Sequence, residues 1–240
     1  MIDSPDQSGR SLSIVVPVLN DAAPLRSLLT ALTELPASQI EILVVDGGSH
    51  DESRAVANEM GACLLAAAPG RGRQLNAGYR AARGEWIWFL HADSLPDHAA
   101  ISAIAGKVSR TIKRAAPGWG RFNVCFDSRS RKLKLLATMM NWRSRQTGIC
   151  TGDQGIFVHR RLLSIVGGVP ELPLMEDVEL SRRLGQLCRP ECRAETLQTS
   201  ARRWQQDGWL NTVLLMWRYR VSYWLGASAE DLAARYYDRP

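Results

Sequence analysis

Three carboxylates stand at the ends of short apolar runs, and a pair of acids follows far downstream. Asp21 closes Ser13-Ile14-Val15-Val16-Pro17-Val18-Leu19-Asn20-Asp21. Asp46 closes Ile42-Leu43-Val44-Val45-Asp46 and is followed by Gly47-Gly48-Ser49. Asp93 closes Trp86-Ile87-Trp88-Phe89-Leu90-His91-Ala92-Asp93, and the later pair is Glu176-Asp177. Apolar runs of this length are buried parallel strands, and ligands of open α/β sheets sit at the strands' carboxyl ends. Such acids suit an enzyme that holds a nucleotide, a metal and a base over one crevice. Asp46, beside two glycines that let a ligand approach the backbone, can accept from a base imide or a ribose hydroxyl. It can equally be a turn acid ahead of the next helix. Arg71 and Arg73 flank Gly72 just before a helix, a setting suited to a diphosphate or to an ordinary solvated loop. Asp93 can bind a hard divalent ion, or Asp93 and Ser94 can cap the helix that follows.

The elements that would carry these side chains alternate. Leu12–Val18 and Ile40–Asp46 read as strands, with a helix between them that starts at Pro24 and buries Leu25, Leu28, Leu29 and Leu32. A helix over Asp51–Met60, a short strand over Ala62–Ala66, a loop at Gly70–Gly72 and a helix from Gln74 to Arg83 follow. Glu85–Leu90 is the next strand and Pro96–Lys113 the next helix. Gly120–Phe126 and Gly155–Val158 read as strands around a basic helix, Lys132–Arg145. The last third reads as helical: Glu176–Leu187, Gly208–Leu225 and Ala229–Tyr236. This order predicts an α/β fold with a mostly parallel sheet flanked by helices.

Taken together, the motifs resemble family 2 glycosyltransferases of the GT-A fold over about residues 12–205. Val16-Pro17-Val18-Leu19-Asn20-Asp21 resembles that family's Pro-x-Tyr-Asn-Glu start, and Asp46-Gly47-Gly48-Ser49-His50-Asp51 its Asp-Asp-Gly-Ser-x-Asp segment. Asn76-Ala77-Gly78 through Arg83-Gly84 resembles its Asn-x-Gly…Ala-x-Gly stretch. His91-Ala92-Asp93 falls where the family has Asp-x-Asp, and Glu176-Asp177 where it has Glu-Asp. Gly70 to Asn76 with Leu90-His91-Ala92-Asp93 is similar to a small bacterial subgroup.

The resemblance implies transfer of a sugar from a nucleoside diphosphate sugar to an acceptor hydroxyl, with inversion. It implies donor contacts from Pro17, Leu19, Asn20, Asp46, Arg71, Arg73, Asn76, Ala92 and Asp93. It implies Asp177 as general base beside Glu176, and acceptor contacts from Asp153 or Gln154. It also implies Mn2+ or Mg2+ held by Asp93, with His91 as a ligand or in support. His91 replaces the first acid of the usual pair, and no His follows His159 to match the family's later metal-binding His. Acids in a first helical turn also simply complement the macrodipole, and residues 152–155 also read as a plain polar turn.

The bulk numbers agree with this reading. The 240 residues suffice for one catalytic domain, 1–205, with an appended helical segment, 206–240. Five scattered cysteines favour a reducing cytosol, and the polar first ten residues do not resemble a secretory signal. The net charge of +6 is uneven: residues 107–145 hold eleven basic side chains against one acid, Asp127. A basic face implies an anionic partner or a solvated surface. Leu210, Val213, Leu214, Trp217, Val221, Trp224 and Leu225 share one helical face, which suits core packing, a homodimer seam or an anionic membrane interface. An enzyme at that interface would meet a lipid-linked acceptor. Two other classes compete. A sugar nucleotidyltransferase would want a Gly-rich basic loop after the first strand, where Asn20-Asp21-Ala22-Ala23 stands. A basic module for membrane or nucleic acid leaves Asp46, Asp93 and Asp177 unexplained, so no nucleic-acid partner is expected.

Overall fold

Residues 12–18 have no side chain suited to a wet surface except Ser13, and every one of them is buried in strand β1 (Leu12–Val18). Ser13 is reconciled with burial by donating to Glu41 Oε1 (2.6 Å) and accepting from Gly84 N–H (2.7 Å). The computed structural model describes residues 11–36, 38–111, 116–202 and 209–237. The side chains of residues 107–111, 209–211 and 237 are not described.

Strands β2 (Ile40–Asp46), β3 (Cys63–Ala66) and β4 (Trp86–Phe89) join β1 in parallel. Val18 lies opposite Asp46, and Val15 opposite Phe89. The in-register carboxyl ends therefore deliver Leu19–Asp21, Asp46–Ser49 and Leu90–Asp93 to one edge. Alternating side chains of these strands feed two apolar layers. Ile14, Val16 and Val44 pack under α1 (Ala22–Leu32), α2 (Ser53–Glu59) and α4 (His98–Thr111). Val15, Val45, Ile87 and Phe89 pack under α3 (Arg71–Ala81), α6 (Arg160–Ile165) and α7 (Glu176–Gly185). Leu25, Leu28, Leu29 and Leu32 are buried on α1, as their spacing predicts.

The other half of the sheet is mixed. Its full order is β3-β2-β1-β4-β7-β6-β8-β5, with β5 (Ser94–Pro96), β6 (Trp119–Phe126), β7 (Phe157–His159) and β8 (Glu191–Thr199). β7 runs antiparallel to both β4 and β6, β6 is parallel to β8, and β5 is antiparallel to β8. Between β6 and β7 lie α5 (Arg131–Thr147) and a 3₁₀ turn, Gly152–Gln154. Helices α8 (Trp209–Trp224) and α9 (Ala229–Tyr237) end the chain. Val213 and Met216 of α8 pack on the small core of Leu133, Leu136 and Met140 under α5.

Four sequence expectations change. The last third is not all helical, because β8 pairs along β6. Its charged residues obey the strand period: Arg193 is flanked by Glu191 and Glu195 at i±2 and pairs with both, a pattern without an apolar run. Pro24 is the third residue of α1, not the first; a missing N–H costs no helical bond in that first turn. α3 starts at Arg71, so Arg71 and Arg73 occupy a helical turn rather than a loop. Ser94 belongs to β5, and Asp97 caps α4, its Oδ1 accepting from Ala100 N–H (2.6 Å).

Candidate active site

The carboxyl edge of β1 and β4, the start of α3, the 152–154 turn, the start of α7 and the two last helices enclose a cleft of about 470 Å3. Pro17, Leu19, Asp21, Arg71, Ala92, Asp93, Asp153, Glu176 and Asp177 line it. Residues more than 150 positions apart thus share one wall because the parallel register collects loop ends at one edge.

At the start of α7, Met175 takes the left-handed conformation (φ 67°), unusual for a side chain with a Cβ. The bend places Glu176 and Asp177 in the first helical turn, where free N–H groups favour negative charge. Asp177 is held at both oxygens: Oδ2 accepts from Gly152 N–H (2.9 Å) and Oδ1 from Val178 N–H (2.7 Å). Glu176 is buried (5% exposed). Burial, then the Asp177 charge, raises its pKa, while Arg71 opposes the shift from 3.8 Å.

Across the cleft, burial and then the neighbouring Asp93 raise the pKa of Asp21, which Arg202 partly offsets. Asp21 and Asp93 both line this cleft. Among the described residues no group of three or more His, Cys, Asp and Glu side chains forms a ready metal cage. A hard divalent ion that travels with a diphosphate needs only one or two protein carboxylates. The Asp93 and Asp21 pair fits such an ion. His91 lines the cleft as well: Nδ1 lies 3.2 Å from Asp153 Oδ1, and Nε2 is buried without a hydrogen-bond partner. Its ring lies on Gly152, where a Cβ would collide with Nε2 and Cε1. His91 thus orients Asp153, and Gly152 is required by that close approach.

The structure separates the expected residues. Pro17, Leu19, Arg71, His91, Ala92, Asp93, Asp153, Glu176 and Asp177 meet at the cleft. Asp46 is a turn acid: Oδ1 accepts from Ser49 N–H (2.9 Å), and Arg54 Nε is 3.7 Å from Oδ2. Asn20, at φ 53°, clips the two loops together, with Oδ1 accepting from His50 N–H (2.8 Å) and N–H donating to Ser49 Oγ (3.0 Å). Asn76 is buried between α3 and the chain before α7, donating to Glu171 Oε1 (2.5 Å) and accepting from Val169 N–H (3.2 Å). Arg73 is exposed on the outer side of α3, against Gly70, and does not line the cleft.

Gln154 is fully buried and closes a capping box on Thr151. Its Nε2 donates to Ser144 Oγ (3.0 Å) and Asn141 Oδ1 (3.2 Å). It holds the turn to α5 and has no reach to an acceptor. Glu179, beside the acidic pair, is consumed by Arg182 and Arg183, each with bonds of 2.8 Å.

Sequence reasoning missed several residues. Gln74 lines the cleft and ties β1 to β2 by donating to Val18 O (2.9 Å) and Val45 O (2.8 Å). Thr212, Met216, Tyr219 and Arg220 of α8, with Tyr236 of α9, complete the wall. The Thr-x-x-Gln spacing at 151–154 was a legible sign of the capping box; nothing local marked Arg220 as facing inward.

A model of glycosyl transferase family 2 matches residues 13–164. The Bacillus subtilis protein described as "Probable glycosyltransferase YdaM" is 24% identical over 202 residues, covering 72% of this chain and 46% of its own length. The chain spans less than half the length of the curated relatives it matches. Glucosyl-3-phosphoglycerate synthase from Mycobacterium tuberculosis, solved with Mn2+, UDP and glucosyl-3-phosphoglycerate, superposes with a TM-score of 0.55 at 20% identity, over 80% of this chain and 72% of that one. The mannosyltransferase PcManGT from Pyrobaculum calidifontis, solved with GDP-Man and Mn2+, gives 0.59 at 21% identity, over 81% and 58%. The fold they share with this chain is GT-A.

Proposed function

The chain belongs to glycosyl transferase family 2, and from that premise we propose that it moves a sugar from a nucleoside diphosphate sugar to an acceptor hydroxyl with inversion. The observation that carries the proposal is the placing of Asp93 and the doubly anchored Asp177 on one cleft. The nucleotide enters over Pro17 and Leu19. Arg71, at the start of α3, meets the diphosphate with charge-assisted hydrogen bonds and with the helix's free N–H groups. Asp93, with Asp21, would hold Mn2+ or Mg2+, which would supply positive charge against that growing on the leaving nucleoside diphosphate. Asp177 takes the acceptor hydroxyl's proton as that oxygen attacks the anomeric carbon. Its two backbone hydrogen bonds fix the carboxylate's direction before substrate arrives, which is where positioning lowers a barrier. Glu176 supports it from a buried position, and Asp153 hydrogen-bonds the acceptor while His91 holds its other side.

A screen of UDP-, GDP- and dTDP-sugars with Mn2+ or Mg2+ tests the proposal, reading nucleoside diphosphate release and the product's anomeric configuration by NMR. UDP and GDP donors are the first choice because the two superposed enzymes were solved with UDP and GDP-Man. Release with no sugar donor of any base would overturn it, and a retained configuration would remove Asp177 as base.

A docking surface accompanies this function. On α5, Leu135, Met139 and Trp142 are exposed at i, i+4 and i+7; on the adjoining α8, Leu214, Trp217, Val221 and Trp224 are exposed. Arg131, Lys132, Lys134, Arg145 and Arg218 are exposed on the same two helices. Lys113, Arg114 and Trp204 lie outside the described residues, as do the side chains of Lys107, Arg110 and Leu210. Aromatic and apolar side chains mixed with basic ones fit an anionic bilayer surface, each cation adding about 1 kcal/mol. Among the described residues no helix is long and apolar enough to cross a membrane. Docking of this basic, aromatic face on the bilayer surface would bring a lipid-linked acceptor to the cleft. Salt-sensitive sedimentation with anionic vesicles, lost in Trp217→Ser/Trp224→Ser, is expected. Dimerisation without vesicle binding would assign the face to a second copy instead.

A further inference from the structure

Gly152 is a glycine for a reason outside its own backbone. It begins a 3₁₀ turn without a positive φ, so its backbone would accept a side chain. What forbids a Cβ is His91. Nε2 and Cε1 of that ring stand where the atom would go, and the next nearest atom, Cδ2 of the same ring, would lie 3.5 Å away in ordinary contact. The ring is well held. Leu90 N–H donates to Val15 O (3.1 Å) and Ser94 N–H to His91 O (3.0 Å), which fixes the turn that carries it. The residue is buried, with Nδ1 beside Asp153 Oδ1.

The far end of the 152–154 turn is fixed by other means. Phe89 N–H donates to Ile156 O (2.9 Å), Trp88 Nε1 to Gly155 O (3.3 Å), and Gln154 Nε2 reaches Ser144 and Asn141 on α5. At the Gly152 end, support from the end of β4 comes from the His91 ring. Gly152 N–H in turn donates to Asp177 Oδ2 (2.9 Å). His91, Gly152 and Asp177 are therefore in contact one after another, and all three line the cleft. Asp93 stands two residues beyond His91, on the turn that Ser94 N–H closes.

We propose that His91 is a positioning residue for Asp177: the Cε1–Nε2 edge of its ring sets the height of Gly152, and Gly152 N–H aims the carboxylate. This rests on the reading of Asp177 as the base. One turn then carries the acid proposed for the metal and, through His91, fixes the group that takes the acceptor's proton. The separation between the leaving diphosphate and the base is set by one rigid turn instead of by two independent loops. A displacement of about 1 Å at a reacting group can cost about a hundredfold in rate, so a ring edge of this size is enough to matter.

A size swap tests this. His91→Asn keeps an amide where Nδ1 meets Asp153 and removes the edge that meets Gly152. Gly152→Ala adds a methyl group where that edge stood. Turnover is read as nucleoside diphosphate release from whichever UDP-, GDP- or dTDP-sugar the wild-type enzyme hydrolyses fastest, with water in the acceptor's place. Each single variant should lose about tenfold or more, and the double variant should recover to within about threefold of wild type. UDP affinity with Mg2+ should stay within about twofold in His91→Asn, and His91→Asn should add no loss in an Asp177→Asn background. Hydrogen exchange at Gly152 N–H, followed by NMR, needs no donor; it should quicken about tenfold in His91→Asn and slow again in the double variant. Wild-type turnover in His91→Asn, or a double variant no better than the singles, would overturn the proposal. So would an added loss in the Asp177→Asn background, or a tenfold fall in Mg2+-dependent UDP affinity, which would make His91 a metal ligand. If Asp177→Asn turns over like wild type, or the wild-type enzyme releases no nucleotide, the reading of the base fails by itself. Gly152 exchange then still decides whether His91 holds the turn on Asp177, and exchange unchanged in His91→Asn would show that it does not.

Discussion

Replacing Asp177 by Asn keeps the side chain's shape and removes its basicity. The carboxylate now accepts from Gly152 N–H at 2.9 Å and from Val178 N–H at 2.7 Å. An amide oxygen can keep only one of these bonds, so one charge-assisted bond is lost, worth about 1.5–3 kcal/mol at most. Relief of the repulsion with buried Glu176, whose pKa the Asp177 charge helps to raise, offsets part of that. A net loss of about 1 kcal/mol corresponds to a Tm lower by about 2–4 °C at this chain length. The catalytic loss is much larger. Without a base, transfer should fall by about 10²–10⁴, which is about 2.7–5.4 kcal/mol on the barrier. Donor affinity should stay within about twofold, because Asp177 meets the acceptor and not the nucleotide. Single-turnover transfer, nucleotide titration and thermal unfolding separate the three effects. A folded Asp177→Asn enzyme that transfers within a few fold of wild type would refute the assignment and leave Glu176 or Asp153 to take the proton. Equal losses of donor affinity and turnover would instead mean that the loop carrying Gly152 had shifted.

Further outcomes follow from neighbouring residues. Asp93→Ala should weaken Mg2+-dependent UDP or GDP binding at least tenfold while leaving metal-free nucleotide binding unchanged; titrations with and without EDTA compare the two. Gln154→Leu should lower stability by about 2–3 kcal/mol, seen in urea unfolding, since it strands Ser144, Asn141 and the Thr151 N–H; a large change in acceptor KM with unchanged stability would restore Gln154 as an acceptor contact. Hydrogen bonds from Arg182 and then Arg183 hold the Glu179 carboxyl at about 2, below its ordinary 4.5. Its contribution is therefore complete above about pH 4.5 and lost as pH falls from there toward about 2. Glu179→Gln should flatten that part of the acid-unfolding curve, and an unchanged slope would show that the pair adds nothing.

The amino-acid sequence alone determined the strands whose apolar runs have no alternative to burial. β1 and β2 run from Leu12 to Val18 and from Ile40 to Asp46, as the residues indicate. It also determined the order of the acids, and hence that Asp93 and Asp177 would share a carboxyl-edge cleft. What it left open was where polar side chains spend their hydrogen bonds. Asp46, Asn20, Asn76 and Gln154 all carry groups that a substrate or the backbone could use, and a motif does not say which. In the fold these groups are used internally: Asp46 and Asn76 accept from the N–H groups of Ser49 and Val169, Asn20 joins two loops through His50 N–H, and Gln154 bonds Thr151 N–H and Ser144. Charge patterns were ambiguous for the same reason. Arg143 and Arg220 lie on helices whose other cations are exposed, and only the packing of α5 against α8 turns these two inward. β8 was invisible because its pairing is a long-range property of β6, not a local apolar period. Tertiary structure decided these cases because desolvation and hydrogen-bond satisfaction depend on neighbours far along the chain, while periodicity reports only on neighbours nearby.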